Sequence, residues 1–234
     1  MKKNSKTSIL TTLIFLAGLW TTLAHTGAQH TVSNHSTGVV GAVLEGLTHP
    51  FTGLDHWMAF IAVGAFACCV GRRENFSWKL ALLPAFAFLS GMGIGIFEGS
   101  LGWLNGASSF VEYGISFTLV ALGAALILAP NISRAKSANS CGNCRVILYS
   151  AALFVIGLPH GWAHGLEFSG GSATAAGFGS GALTAAFALC ILGILSGLAL
   201  AQVESRLRRP LRPTALRFAG GWLALQGIVL AWLV

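Results

Sequence analysis

Seven histidines are spread along the chain, and four of them fall in two short strings that also carry acids. The first string is His49-Pro50-Phe51-Thr52-Gly53-Leu54-Asp55-His56. Pro50 suits the first turn of a helix, where its missing N–H leaves no bond unmade. His49 then caps that helix, and His56, two turns on, shares roughly one face with it. Asp55 points about 100° away from His56. It either binds a metal or orients a ligating imidazole through a hydrogen bond. The second string is His160-Gly161-Trp162-Ala163-His164-Gly165-Leu166-Glu167. His160, His164 and Glu167 share one helical stripe. Two imidazoles and a carboxylate on one stripe form half of a metal site of borderline hardness, suited to Ni, Co, Zn or Fe. The plainer alternatives are a cap histidine with an Asp–His pair that ties helices together, and two histidines hydrogen-bonded in a packed core.

The elements that must position these strings are membrane helices. Of 234 residues, 54% are hydrophobic and only 9% are charged, with a mean hydropathy of +0.73. Soluble proteins carry about 25% charged residues, so a soluble globule is excluded. Lys2, Lys3 and Lys6, the apolar run from Ile9 to Leu23 and the small-residue site at Ala24 read as a cleaved signal peptide over 1–24. An uncleaved first helix is the alternative. A His-containing periplasmic segment fills 25–49, polar over 25–36, where it carries His25, His30 and His35. Six apolar stretches follow near 50–70, 80–98, 113–130, 146–167, 176–201 and 215–233, each about long enough to cross a bilayer. The expected fold is an all-α, polytopic membrane helix bundle occupying 50–234. The short apolar stretch Gly38–Leu47 is either an amphipathic segment at the outer face or an extension of the first span.

The charge asymmetry orients this bundle. The 14 Lys and Arg outnumber the 7 Asp and Glu. In a soluble protein such an excess suggests nucleic acid; here alternate loops absorb it. Arg72, Arg73 and Lys79 follow the first span, Arg134, Lys136 and Arg145 the third, and Arg206, Arg208, Arg209, Arg212 and Arg217 the fifth. The loops near 99–112 and 168–175 contain no Lys or Arg. The positive-inside rule puts the basic loops in the cytoplasm and both mature termini in the periplasm of a bacterial inner membrane. His160 then lies roughly 21 Å up a roughly 30 Å core, and His56 lies near the outer end of span one. Two strings about 100 residues apart reach one depth, which makes them halves of one site. Ionisable groups at that depth are costly and mark function by default.

These two strings resemble the signatures of the HupE/UreJ family of hydrogenase- and urease-associated nickel/cobalt permeases. A His, five residues and Asp-His match His49, Asp55 and His56. The second signature, Phe-His-Gly-x-Ala/Val-His-Gly-x-Glu, matches His160, Gly161, Ala163, His164, Gly165 and Glu167, with Pro159 in place of the Phe. That departure is expected to alter local helix shape more than ligand chemistry. The signal peptide, the mature N-terminal His25 and six spans extend the likeness over essentially the whole chain. The resemblance implies uptake of Ni²⁺ or Co²⁺ as transported substrate, with no organic cofactor and an indirect link to hydrogenase or urease maturation. An intramembrane metal-dependent hydrolase using the same cluster is the alternative, and a helix-locking scaffold is a third reading.

Lesser features complete the reading. His25, His30 and His35 on the outer segment can pre-concentrate cations. Glu98 and Glu112 flank an outer loop and can form an acidic mouth. Cys141 and Cys144 form a CxxC pair on the cytoplasmic side, near Cys68 and Cys69 at the end of span one, where a reducing compartment argues against a disulfide. Gly157, Gly161 and Gly165, Gly91 and Gly95, and Gly193 and Gly197 have the four-residue spacing that lets membrane helices approach closely. Pro159 is expected to weaken or kink its helix.

Overall fold

The computed structural model describes residues 38–51, 53–71, 77–102, 107–134, 142–167 and 171–234. The side chains of residues 54, 55, 108, 132–134, 142, 143 and 167 lie outside that description. So do the signal segment, His25, His30, His35, Arg72, Arg73, Lys136 and Cys141.

Among the described residues the chain is entirely helical: α1 (Val39–Thr48), a 3-10 turn (His49–Phe51), α2 (Leu54–Gly71), α3 (Trp78–Ser100), α4 (Ser108–Arg134), α5 (Gly142–Glu167), α6 (Ser172–Leu207) and α7 (Leu211–Leu233). In hydrocarbon every backbone N–H and C=O must be paired within the segment, which makes helices the default for runs this apolar. Five helices are long and apolar enough to cross a membrane. Val39–Phe51 and His56–Gly71, bent at 76° to each other, together have the length and composition of a sixth, as a broken span or a re-entrant loop. The chain is therefore an α-helical, polytopic membrane protein, as its composition requires.

The break corrects the placement of Pro50. It does not open a span; it lies buried in the 3-10 turn, and α2 starts only at Leu54. Pro50 has no N–H to continue the ladder of α1, and Gly53 gives the chain freedom to turn. The outward face of α1 is apolar, with Val40 and Leu44 exposed and Phe51 exposed just beyond it. That face suits lipid, and α1 is bent sharply from α2.

Glycine holds the bundle together. A Cβ on Gly161 would fall on the Met92 carbonyl, one on Gly95 on the Leu158 carbonyl, and one on Gly165 on the Ile96 carbonyl at 2.5 Å. Gly99 extends this seam, its Cα facing Gly165. It makes α3·α5 the most extensive helix pair of the bundle. In the same way Gly177 and Gly181 seat α1 on α6, Gly64 and Gly193 seat α2 on α6, and Gly123 and Gly220 join α4 to α7. A single 36-residue helix, α6, therefore splints both α1 and α2 across their bend. These contacts run parallel for α3·α5 and α2·α6 and antiparallel for α4·α7. Lys79, Arg145, Arg206, Arg208, Arg209, Arg212 and Arg217 consequently gather at one end of the bundle. The histidines gather toward the other.

Candidate metal centre

His49 is carried by the broken end of α1. The Thr48 hydroxyl donates back to the Leu44 and Glu45 carbonyls, both at 3.1 Å, and the His49 N–H donates to the Glu45 carbonyl. The last turn of α1 is thus closed, and the His49 ring projects at the bend. His56 lies in the first turn of α2 and is buried. His160 and His164 lie one turn apart on α5, also buried.

The rings meet. His49 and His164 have centroids 4.8 Å apart, His56 and His164 4.9 Å, and His49 and His56 5.8 Å. One nitrogen from each of His49, His56 and His164 can be chosen so that all three lie within 4.8 Å of one another. On a metal with bonds of about 2.0–2.1 Å, three nitrogens in tetrahedral geometry stand about 3.4 Å apart. Ring movements on the order of 1 Å therefore close this set around an ion. Phe178 of α6 lies edge-on to His49 at 5.4 Å and walls one side.

His160 is set apart. Its ring lies 5.9 Å from His56, and Phe60 and Phe88 press on it, each at 5.9 Å. It stands one helical turn, about 5.4 Å, closer to the basic end than His164. The stripe of His160, His164 and Glu167 thus splits into one member of the three-histidine group and one below it. The side chains of Asp55 and Glu167 lie outside the described residues.

His49 and His56 do converge, but not by the route their spacing suggests. Seven residues on one continuous helix would stack them. A bent turn brings them together instead, and α6 fixes the bend. Pro159 likewise leaves α5 helical from Gly142 to Glu167. Gly114 of α4 makes room for its ring, since a Cβ there would stand 2.9 Å from Pro159 Cβ. The Thr118 hydroxyl donates to the Gly114 carbonyl at 2.8 Å and reaches the Ile156 carbonyl across the interface at 3.3 Å.

Two lesser features gain a partner that changes how they are read. The first is Glu98, whose carboxylate accepts a 2.7 Å hydrogen bond from Trp162 Nε1. Trp162 is two residues from both His160 and His164, so it leaves α5 on the face opposite the histidines. Phe110 of α4 packs on its indole at 5.9 Å. Glu98 thereby pins α3 to α5 behind the site. Nothing in sequence pairs these two residues, 64 positions apart. A charge-assisted hydrogen bond contributes about 1.5–3 kcal/mol. Glu98→Ala is expected to lower thermal stability by that order while leaving nickel affinity within about twofold. Isothermal titration and a melting curve on the purified variant check both halves. The second change is at Cys144, which is disulfide-bonded, its partner lying outside the described residues. The compartment argument bears on whether such a bond persists in the cell, not on whether two sulfurs meet.

Five membrane-spanning helices and a bent helix pair that meets them at a three-histidine cluster define a polytopic membrane protein with a polar site within its apolar core. The chain belongs to the HupE/UreJ family: the HupE / UreJ protein family model matches residues 13–230. It is also 35% identical over 222 residues to Protein HupE of Rhizobium leguminosarum bv. viciae, covering 95% of this chain and 96% of that one. The family is associated with nickel and cobalt uptake. No solved structure matches this chain.

Proposed function

We propose that the protein is an inner-membrane permease that takes up divalent transition-metal cations, Ni²⁺ first and Co²⁺ second. The observation that supports this best is the convergence of His49, His56 and His164 from three separate elements onto one buried point. Neutral imidazoles of this number suit borderline ions such as Ni²⁺ and Co²⁺. Asp55 and Glu167, each within three residues of a clustered histidine, complete the ligand set or orient it. His25, His30 and His35 gather cations ahead of it. The basic end of the bundle faces the cytoplasm, which puts the histidine cluster in the periplasmic half and both mature termini outside.

A hydrated ion enters from the periplasm and exchanges water for imidazole. His160, one turn farther in, is the next ligand on its path. Beyond it, the sequence offers no Asp, Glu or His within the inner half of the spans to relay protons. Membrane potential is sufficient drive: roughly 2.3 kcal/mol per charge per 100 mV gives about 4.6 for a dication, on the order of a thousandfold accumulation. The ion delivered inside serves nickel or cobalt enzymes such as hydrogenase or urease. The hydrolase reading gains no support from the family to which the chain belongs.

Uptake of radioactive nickel and cobalt by cells expressing the wild type, His56→Ala and His164→Ala tests the proposal. Saturable uptake lost in both variants is the expected result. Metal bound by the purified protein, with no difference in uptake between expressing and non-expressing cells, would overturn it.

A further inference from the structure

The turn joining α6 to α7 concentrates charge to a degree that topology alone does not require. Arg206, Arg208, Arg209, Arg212 and Arg217 fall within 12 positions that hold no acid, with Glu204 two residues before them. The connection is three residues long, Arg208 to Pro210, and is closed by a Leu211 N–H bond to the Arg209 carbonyl at 2.9 Å. Arg208 holds the left-handed conformation at φ 51°, a place glycine usually takes. A side chain there costs about 1–2 kcal/mol, yet the residue is an arginine. Arg206, Arg208, Arg209 and Arg217 are exposed. Glu204 engages Arg212 at 3.6 Å. Arg212 Nη1 is buried and donates to no protein acceptor. The first turn of α7 has no acid and no side-chain cap. Among the described residues, Glu204 is thus the one acid next to this run of arginines in sequence, and it pairs with Arg212.

The surroundings are apolar. Val203 and Leu207 on α6 and Phe218 on α7 are exposed beside the arginines. Both helices enter the membrane directly from this turn, so it sits at headgroup depth. A soluble polyanion would match the charge but not the apolar flank. We infer that the α6–α7 turn is a binding site for an anionic phospholipid, with the arginine forks holding the phosphodiester and Val203, Leu207 and Phe218 lying along the acyl chains. Guanidinium suits this task because its planar donors meet two phosphate oxygens at once, which an ammonium cannot do. The site is independent of the metal centre at the opposite end.

Purified full-length protein in neutral detergent provides the test, with melting temperature and lipid retained in native mass spectra as readouts. Phosphatidylglycerol is expected to raise the melting temperature, and phosphatidylcholine and inorganic phosphate are not. Arg208→Gln with Arg209→Gln should weaken phosphatidylglycerol binding roughly thirtyfold. Lys79→Gln with Arg145→Gln, at the same end of the bundle, should leave it within about twofold. Should the glutamine pair fail to insert, Arg208→Lys with Arg209→Lys keeps the charge and is expected to weaken binding several-fold. Equal loss in the Lys79/Arg145 pair, equal stabilisation by phosphatidylcholine or by phosphate alone, or full binding by the lysine pair would each overturn the site.

Discussion

His164→Ala is expected to abolish high-affinity nickel binding and uptake together. His164 is the hub of the cluster, since its ring lies within 5 Å of both His49 and His56. Losing a partner that only orients a ligand costs about 10- to 100-fold in metal affinity; losing this ligand should cost more. His49→Ala and His56→Ala are expected to behave alike. His160→Ala should not, because His160 stands outside the three-nitrogen group. Its loss is expected to slow uptake while nickel still binds. A readout separate from transport is ligand-induced stabilisation: metal at a hundredfold excess over its Kd adds about 2.7 kcal/mol. The melting temperature of the wild type and of His160→Ala should rise with nickel, and that of His164→Ala should stay flat. Nickel stabilisation undiminished in His164→Ala would place the ion elsewhere.

Gly161→Ala should be among the most damaging single-methyl changes in the described helices. Gly161 lies between the two histidines of α5, and its added Cβ would fall on the Met92 carbonyl and stand 2.8 Å from both Gly95 Cα and Ile96 N. All three are backbone atoms, so no side chain can swing aside. The helices must separate, and the seam they share is the largest in the bundle. Overpacking of this kind costs about 1–3 kcal/mol, occasionally more. Because α5 carries His160 and His164, its displacement should also weaken metal binding. Gly221→Ala on α7 is the control, since a Cβ there meets nothing within 4 Å. Alanine is a better helix former than glycine by about 1 kcal/mol, so that change should be neutral or slightly stabilising. Expression level and melting temperature of the two variants test this directly; similar values for both would contradict the close backbone approach at Gly161.

Much of this architecture was legible before any coordinates. Spans expected near 80–98, 113–130, 146–167, 176–201 and 215–233 correspond to α3 through α7, with the ends moved by a few residues. Hydropathy is a strong signal because lipid leaves the backbone no alternative to helix. The glycine spacing on α5 was equally plain, while its partner seam was seen only at Gly91 and Gly95. Gly99 fell at the end of a span, where a hydropathy boundary hides it. Pro50 was misplaced because one residue type serves both the start of a helix and its interruption, and only packing against α6 decides which.

The sequence by itself determined the class of protein, its alternating charge and the identity of the polar groups its core carries. Those follow from composition and local period, which a chain cannot hide. Only the tertiary structure decided which histidines meet. His49 reaches the cluster because the chain bends between α1 and α2 and α6 holds both. His160 falls out of it because one helical turn separates it from His164. The physical reason is the same in both cases: residues on one helix share a stripe, but a binding point is defined by what neighbouring helices bring to it.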